Sequence, residues 1–262
     1  MPASGASPLK QSTSQLGFGT RGTQPVVLKV IRRDGNEEWQ CGKLLEAFGG
    51  GGIIAPIAHV PGAVLLPRLV PGHDLASLCL AGRDEEATGI IASLIQRMPR
   101  FGVHPASIGT VAQMHGDFAR FRHGGARFIP IDFVDRAEAL FAELCATQRH
   151  VRVLHGDLHH FNVLFDAAAG WVVIDPQGPI AEIEFEIGAS LRNPAQELVA
   201  SPRVLERRLR IYEDRLQIDL ERTLKWAFAT TVLGILWPFE PGLGGNLRAA
   251  FAAAARAMDE LI

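Results

Sequence analysis

An Asp and an Asn five residues apart, set behind a His, can assemble the chemistry of phosphoryl transfer. The run His155-Gly156-Asp157-Leu158-His159-His160-Phe161-Asn162 has that spacing. In such a loop the Asp accepts or orients the proton of a substrate hydroxyl, and the Asn holds a magnesium ion. Two short β-rich runs follow, Val163-Leu164-Phe165 and Val172-Val173-Ile174, joined by a turn over Asp166 to Gly170. Asp175 stands at the end of the second. A hairpin there brings Asn162 and Asp175 to one side, so both reach one metal cluster beside Asp157. Lys29 closes the β-rich run Val26-Val27-Leu28-Lys29. A lysine at such a strand end binds the α- and β-phosphates of ATP and is held by a helix glutamate. Glu37 and Glu38 both open the helix that follows. Glu37 is the first choice, with Glu38 as the alternative.

A second His-Gly-Asp, His115-Gly116-Asp117, serves as a control. The fifth residue past Asp117 is Arg122, and no strand pair with a terminal acid follows. It reads as a loop with an ordinary polar role, and Ile131-Asp132 is set aside on the same ground. His155, His159 and His160 are close enough to suggest zinc, but no fourth ligand is evident. Gly17-Phe18-Gly19-Thr20-Arg21-Gly22 matches a glycine-rich phosphate loop. Only six residues separate Gly22 from Lys29, which at about 3.3 Å per residue leaves room for a turn and one strand. Gly22 is therefore expected in a turn. The polar stretch Gln11-Ser12-Thr13-Ser14 is expected to cover the phosphates, through Ser12 and Ser14, with the glycine run as the alternative. Val27 should roof the adenine, Leu164 should floor it, and the linker carrying Arg68 and Leu69 should meet its edge.

Those residues need a scaffold of strands followed by helices. Strands are expected near residues 25–31, 53–57 and 63–66, with a helix from Glu37 to Phe48. Helices are then expected at 74–80, 85–98, 133–150, 202–218, 219–236 and 247–261, with the hairpin among them. The fold class is α+β: a two-lobed, protein-kinase-like plan. Residues 1–69 form a small antiparallel β-rich N-lobe that binds nucleotide, and 70–262 a larger, mainly helical C-lobe for catalysis and acceptor binding. The 262 residues suffice for this, and 47% of them are hydrophobic. A formal charge of -2 argues against a nucleic-acid partner. No run approaches the roughly 20 apolar residues of a membrane span. Trp226 to Phe239 reads instead as a buried helix. The N-terminus has no apolar leader, and Cys41, Cys79 and Cys145 do not form a disulfide pattern. A cytoplasmic location is expected.

Leu154 to Asn162, with the pair His159-His160, and Gly170-Trp171-Val172-Val173-Ile174-Asp175-Pro176 resemble the aminoglycoside/hydroxyurea antibiotic resistance kinase family. Asn193-Pro194 and Trp237 also fit. The resemblance implies an ATP-dependent, magnesium-dependent transfer of the γ-phosphate to a hydroxyl of a small molecule, foremost an aminoglycoside-type antibiotic such as streptomycin. It matches Asp157 to the base, and Asn162 and Asp175 to the magnesium ligands.

Two departures bear on the acceptor. The acidic run Glu182-Ile183-Glu184-Phe185-Glu186 replaces an expected glycine-rich segment, and Pro238-Phe239-Glu240 follows Trp237. Glu182, Glu184, Glu186, Trp237 and Glu240 are candidate contacts to a cationic acceptor. The alternative for the acids is a solvated strand face or a helix N-terminus, where acids are favoured. Rival functions are a sugar or amino-alcohol kinase, a nucleotide-binding regulator without catalysis, and a drug-sequestering protein. A protein kinase is disfavoured, since no Ala-Pro-Glu segment follows Asp175.

Overall fold

Lys29 is expected to point inward, and the period of a strand decides that it does. In β2 (Gln24–Ile31), Lys29 and Ile31 are buried while Leu28 and Val30 are exposed. The computed structural model describes residues 14–32, 37–102, 109–238 and 244–262. In it β1 (Ser14–Arg21), β2, β3 (Ala58–Val60) and β4 (Ala63–Pro67) form one antiparallel sheet in the order β1-β2-β4-β3. β1 pairs with β2 from Ser14↔Ile31 to Arg21↔Gln24, and Gly22 turns between them at φ 62°. Gly17 and Gly19 lie within β1, so the glycine run is a strand and its turn. A 3₁₀ turn over Glu37–Gln40 leads into α1 (Cys41–Phe48), whose Leu44, Leu45 and Phe48 are buried. The strand expected at 53–57 reduces to one parallel bridge, Ile53↔Val173. Pro56 within it lacks a donor for a ladder.

Residues 68–70 carry the chain to a second sheet, in which β5 (Pro71–Asp74) pairs with β8 (Val163–Asp166) and β8 with β9 (Gly170–Val173). The predicted hairpin is thus present, with an unpredicted third strand. Asp74 caps α2 (Leu75–Leu80) through Ser77 N–H, and α3 (Asp84–Arg97) follows. β6 (Gly109–Thr110), β7 (Arg152–Val153) and β10 (Pro179–Ala181) make a third small sheet that flanks the loop from His155 to Asn162. The remaining helices are α4 (Gly116–Phe121), α5 (Ile131–Ala146), α6 (Ile183–Leu191), α7 (Gln196–Val199), α8 (Pro202–Leu216), α9 (Leu220–Leu236) and α10 (Gly244–Asp259).

α9 is the axis of the helical lobe. Trp226 to Ala229 and Val232 to Leu236 are buried along it, against α5, α6 and α10. Among the described residues no helix is long and apolar enough to cross a membrane. Cys41, Cys79 and Cys145 are free.

Candidate active site

The loop from His155 to Asn162 is held from behind by buried partners. His155 is wholly buried, and its Nδ1 lies 3.3 Å from the Asp157 N–H, which donates to it. The proton must then sit on Nε2, which donates to the Ile174 carbonyl at 2.8 Å. Burial lowers the pKa of His155, so the ring is neutral and works as a strut between loop and hairpin. Gly156 takes φ 83°, and a Cβ there would lie 2.3 Å from Pro179 Cδ. Beneath both, Glu186 accepts the His155 N–H at 2.8 Å and the Gly156 N–H at 3.0 Å.

Asp157 is set between two nitrogen groups. His159 Nε2 lies 3.3 Å from Oδ2, and Arg192 Nη2 lies 3.6 Å from Oδ1. His159 Nδ1 accepts the Phe161 N–H, so its Nε2 carries the proton that faces Asp157. Burial works against charge on Asp157, but His159 and Arg192 outweigh it and hold the carboxyl below its ordinary range. Asn162 donates to the Asp157 carbonyl at 2.9 Å, which leaves the amide oxygen for a cation. Asp175 follows β9 at φ 65° and forms an ion pair with Lys29. Burial opposes charge on Lys29, but Asp175 and Glu38 more than offset it and raise its pKa.

The structure thus brings Lys29, Asp157, Asn162 and Asp175 to one junction between the lobes. It differs over the lysine's glutamate: Glu38 pairs with Lys29 at 2.7 Å. The side chain of Glu37, the first choice, lies outside the described residues, as do Ser12 and Glu240. Ser14 opens β1 and is buried. Val27 shares the parity of Lys29 on β2, and Leu164 sits on β8; both are partly buried, as is Leu69. Arg68 is exposed in the linker. Its backbone N–H is already bonded to the Pro25 carbonyl at 3.0 Å, and its guanidinium lies over Phe18.

The acidic run stands at a helix N-terminus, one of the alternatives to an acceptor contact: Glu182 is the N-cap of α6, and Glu184 and Glu186 lie in its first turn. On a strand the three acids would share a face. In α6 the 3.6-residue period separates them, placing Glu182 and Glu186 on one side and Glu184 on another. Glu182 is 1% exposed and accepts from the Arg149 N–H, Arg222 and the Trp226 indole. Glu184 accepts the Asp219 N–H at the start of α9, at 3.4 Å. Glu186, 2% exposed, holds the loop at His155 and Gly156, and burial pushes its carboxyl up to about 7. None of the three lines the cavity beside Asp157.

That cavity has a volume of about 510 Å³, within the range of small-molecule sites. Asp157, Gln177, Arg192, Asp117, Arg120 and Trp237 supply its polar groups. Asp117, set aside in the sequence as part of the second triplet, is therefore on a wall of the same cavity as Asp157. Only the fold reveals this, because the wall joins α4 to the end of α9. Trp237 lines the same cavity, with its indole bonded to Asp117 Oδ2 at 3.0 Å.

The three histidines of the loop point to different places, and both ring nitrogens of His160 are buried without a hydrogen-bond partner. His160 is buried toward Cys79 and Asp84, the one group of three potential metal ligands among the described residues. Arg208, 1% exposed, fills that place by bonding Asp84 and the carbonyls of Ser190 and Asn193. The Cys79 thiol, pushed up to about 12 by burial, donates to Asp84. A guanidinium at the centre and a protonated thiol make a packed polar core rather than a metal centre.

Comparison with known proteins agrees with this geometry. The family model described as aminoglycoside/hydroxyurea antibiotic resistance kinase matches residues 6–242. The chain is 33% identical to a streptomycin 3''-kinase of Klebsiella pneumoniae, over 91% of this chain and 89% of that one. It is 28% identical to a streptomycin 6-kinase of Streptomyces griseus, over 85% and 77%. Among solved structures, a thermostable mutant of aminoglycoside phosphotransferase APH(4)-Ia, in complex with ADP and hygromycin B, superposes with a TM-score of 0.62. That match covers 96% of this chain and 90% of the other at 15% identity, and it shows the shared fold.

Proposed function

The chain belongs to the aminoglycoside/hydroxyurea antibiotic resistance kinase family, and from that premise we propose that it transfers the γ-phosphate of ATP to a hydroxyl of an aminoglycoside-type antibiotic, streptomycin first. It is a kinase. The observation that carries the acceptor reading is a cavity of about 510 Å³ lined by Asp157 and not by Lys29, Asn162 or Asp175. A small polar molecule fits there with a hydroxyl at the carboxylate.

Asp157 serves as the base. Its Oδ2 already faces His159, so Oδ1, beside Arg192, takes the acceptor's proton. The depressed pKa keeps that carboxylate ionised at neutral pH. Glu186 and His155 fix the loop so that the oxygen does not wander, and positioning of this kind carries much of the catalysis in phosphoryl transfer. Lys29, steadied by Glu38, holds the α- and β-phosphates. Val27 and Leu164 enclose the adenine. The free amide oxygen of Asn162 and the carboxylate of Asp175 are hard oxygen donors, which suits magnesium. Bound magnesium would neutralise charge on the phosphates. The enzyme acts in the cytoplasm, where ATP is available and three free thiols stay reduced.

The test is ATP consumption with streptomycin, other aminoglycosides, hydroxyurea and common metabolites, with the product mass measured. Streptomycin should be phosphorylated, and Asp157→Ala should abolish the reaction while ATP binding survives. Turnover confined to a sugar or amino alcohol would replace the antibiotic reading. Retained turnover in Asp157→Ala would remove Asp157 as the base.

A further inference from the structure

The second His-Gly-Asp triplet does no work in the mechanism above, yet its Asp reaches the acceptor cavity. We propose that Asp117 and Trp237 form a receptor for a cationic group of the acceptor, a guanidinium in particular, and so determine which acceptors bind. This rests on the acceptor cavity assigned above and names the chemistry it selects.

The geometry is that of a cation site. Asp117 is partly buried in the cavity wall, and its Oδ2 accepts the Trp237 indole N–H at 3.0 Å. Among the described residues no side-chain cation pairs with Asp117, which lines the cavity. The other charges in the cavity are placed otherwise. Arg192 stands by Asp157, and Arg120 lies over the Phe121 ring at 4.9 Å. The indole N–H donates in the plane of its ring, so Asp117 stands at the ring edge, held in place, and offers a planar cation an ion pair that strengthens as water is excluded.

The pair is also held rigid. Arg248 donates to the carbonyls of Ile235 and Trp237, tying α10 to the end of α9. On the other side, a Cβ at Gly124 would lie 2.3 Å from the Leu236 carbonyl, so the chain following α4 is packed directly on that helix end. A receptor fixed from two sides loses little freedom on binding. Streptomycin carries guanidinium groups; hydroxyurea carries no cation. The two acceptors therefore separate the charge reading from a general effect on the cavity.

The experiment compares wild type with Asp117→Asn and Trp237→Phe. Asparagine keeps an oxygen to accept the indole N–H, so the wall stays closed and thermal melting should match wild type. With streptomycin as acceptor, Asp117→Asn should raise KM about tenfold or more while kcat changes less than about threefold, a tenfold change being that of one modest charge contact. Added salt should weaken streptomycin binding in wild type and much less in Asp117→Asn. KM for ATP should hold, and so should KM for hydroxyurea if it is a substrate. Trp237→Phe, which keeps a ring and loses the N–H, should give a smaller rise. Calorimetric titration of streptomycin into protein without ATP reads the receptor apart from turnover. Failure of phosphorylation with binding still dependent on Asp117 would overturn the proposed reaction and leave the receptor standing. No streptomycin binding by wild type, or equal binding by Asp117→Asn, would overturn the receptor itself.

Discussion

His155-Gly156-Asp157 and His115-Gly116-Asp117 carry the same three side chains, and both aspartates face one cavity, yet their surroundings differ in nearly every respect. His155 is wholly buried, with both ring nitrogens engaged. His115 is partly exposed and leans on the rings of Phe118 and Phe141. Gly156 is at φ 83° against Pro179, with two carboxylate bonds from Glu186 to the loop; Gly116 opens α4 at φ -60° in open space. One triplet is locked in a backbone shape that only its tertiary partners sustain, and the other is an ordinary first turn of helix. Chemistry therefore depends less on the tripeptide than on what fixes its backbone.

The contrast breaks first at the aspartates. Asp157→Asn should lower kcat by about 10³-fold or more, the scale of losing a positioned base. Single-turnover kinetics at saturating ATP would measure it. A loss below about tenfold would place the two triplets on an equal footing and remove the distinction. The glycines come next. Gly156→Ala forces a side chain into left-handed backbone and onto Pro179, at a cost of about 2–4 kcal/mol, seen as a fall in the urea midpoint.

How much of this was legible in the sequence follows the same division. The meeting of Lys29, Asp157, Asn162 and Asp175 could be read, because each sits at a fixed chain distance from a strand end or a loop, and local spacing survives folding. Glu38 over Glu37 could not, since a 3₁₀ turn at Glu37–Gln40 decides which side faces the lysine. The alternation of Glu182, Glu184 and Glu186 suggested one face, and only the helical period of α6 separates them. Even so, the i, i+4 spacing of Glu182 and Glu186 was a usable signal of a shared buried side. Arg192 and Asp117 carried no local signal. They reach the cavity because α6, α4 and the end of α9 converge on it from distant parts of the chain. The two-residue strands β6 and β7 were too short for any periodicity to show.

Glu186 sharpens the comparison through pH, because among the described residues no carboxylate accepts the N–H groups of His115 and Gly116. Its carboxyl is raised to about 7 by burial, whereas in an unfolded chain it titrates near 4.5. Between those values the folded state holds a proton that the unfolded state has released. The stability contributed by this proton is therefore fully present below about 4.5 and is lost as pH rises through about 7, by roughly 3 kcal/mol at most. Urea midpoints measured from pH 5 to 8 should fall with rising pH in the wild type. In Glu186→Gln that slope should flatten. An unchanged slope would mean that the loop is held by a charged Glu186 throughout.

The smallest effect is the one that isolates backbone shape from everything else. Gly116 already has helical dihedrals and an exposed position, with no atom within 4 Å of where a Cβ would stand. Alanine there removes freedom from the unfolded chain and costs the folded chain nothing. Gly116→Ala should therefore stabilise the protein by about 0.5–1 kcal/mol, the reverse in sign of the change at Gly156. Thermal melting of both variants in one buffer reads the two signs directly. Destabilisation at Gly116 would show that the second triplet, too, depends on a backbone that only glycine supplies, and the difference between the two regions would then rest on Glu186 and His155 alone.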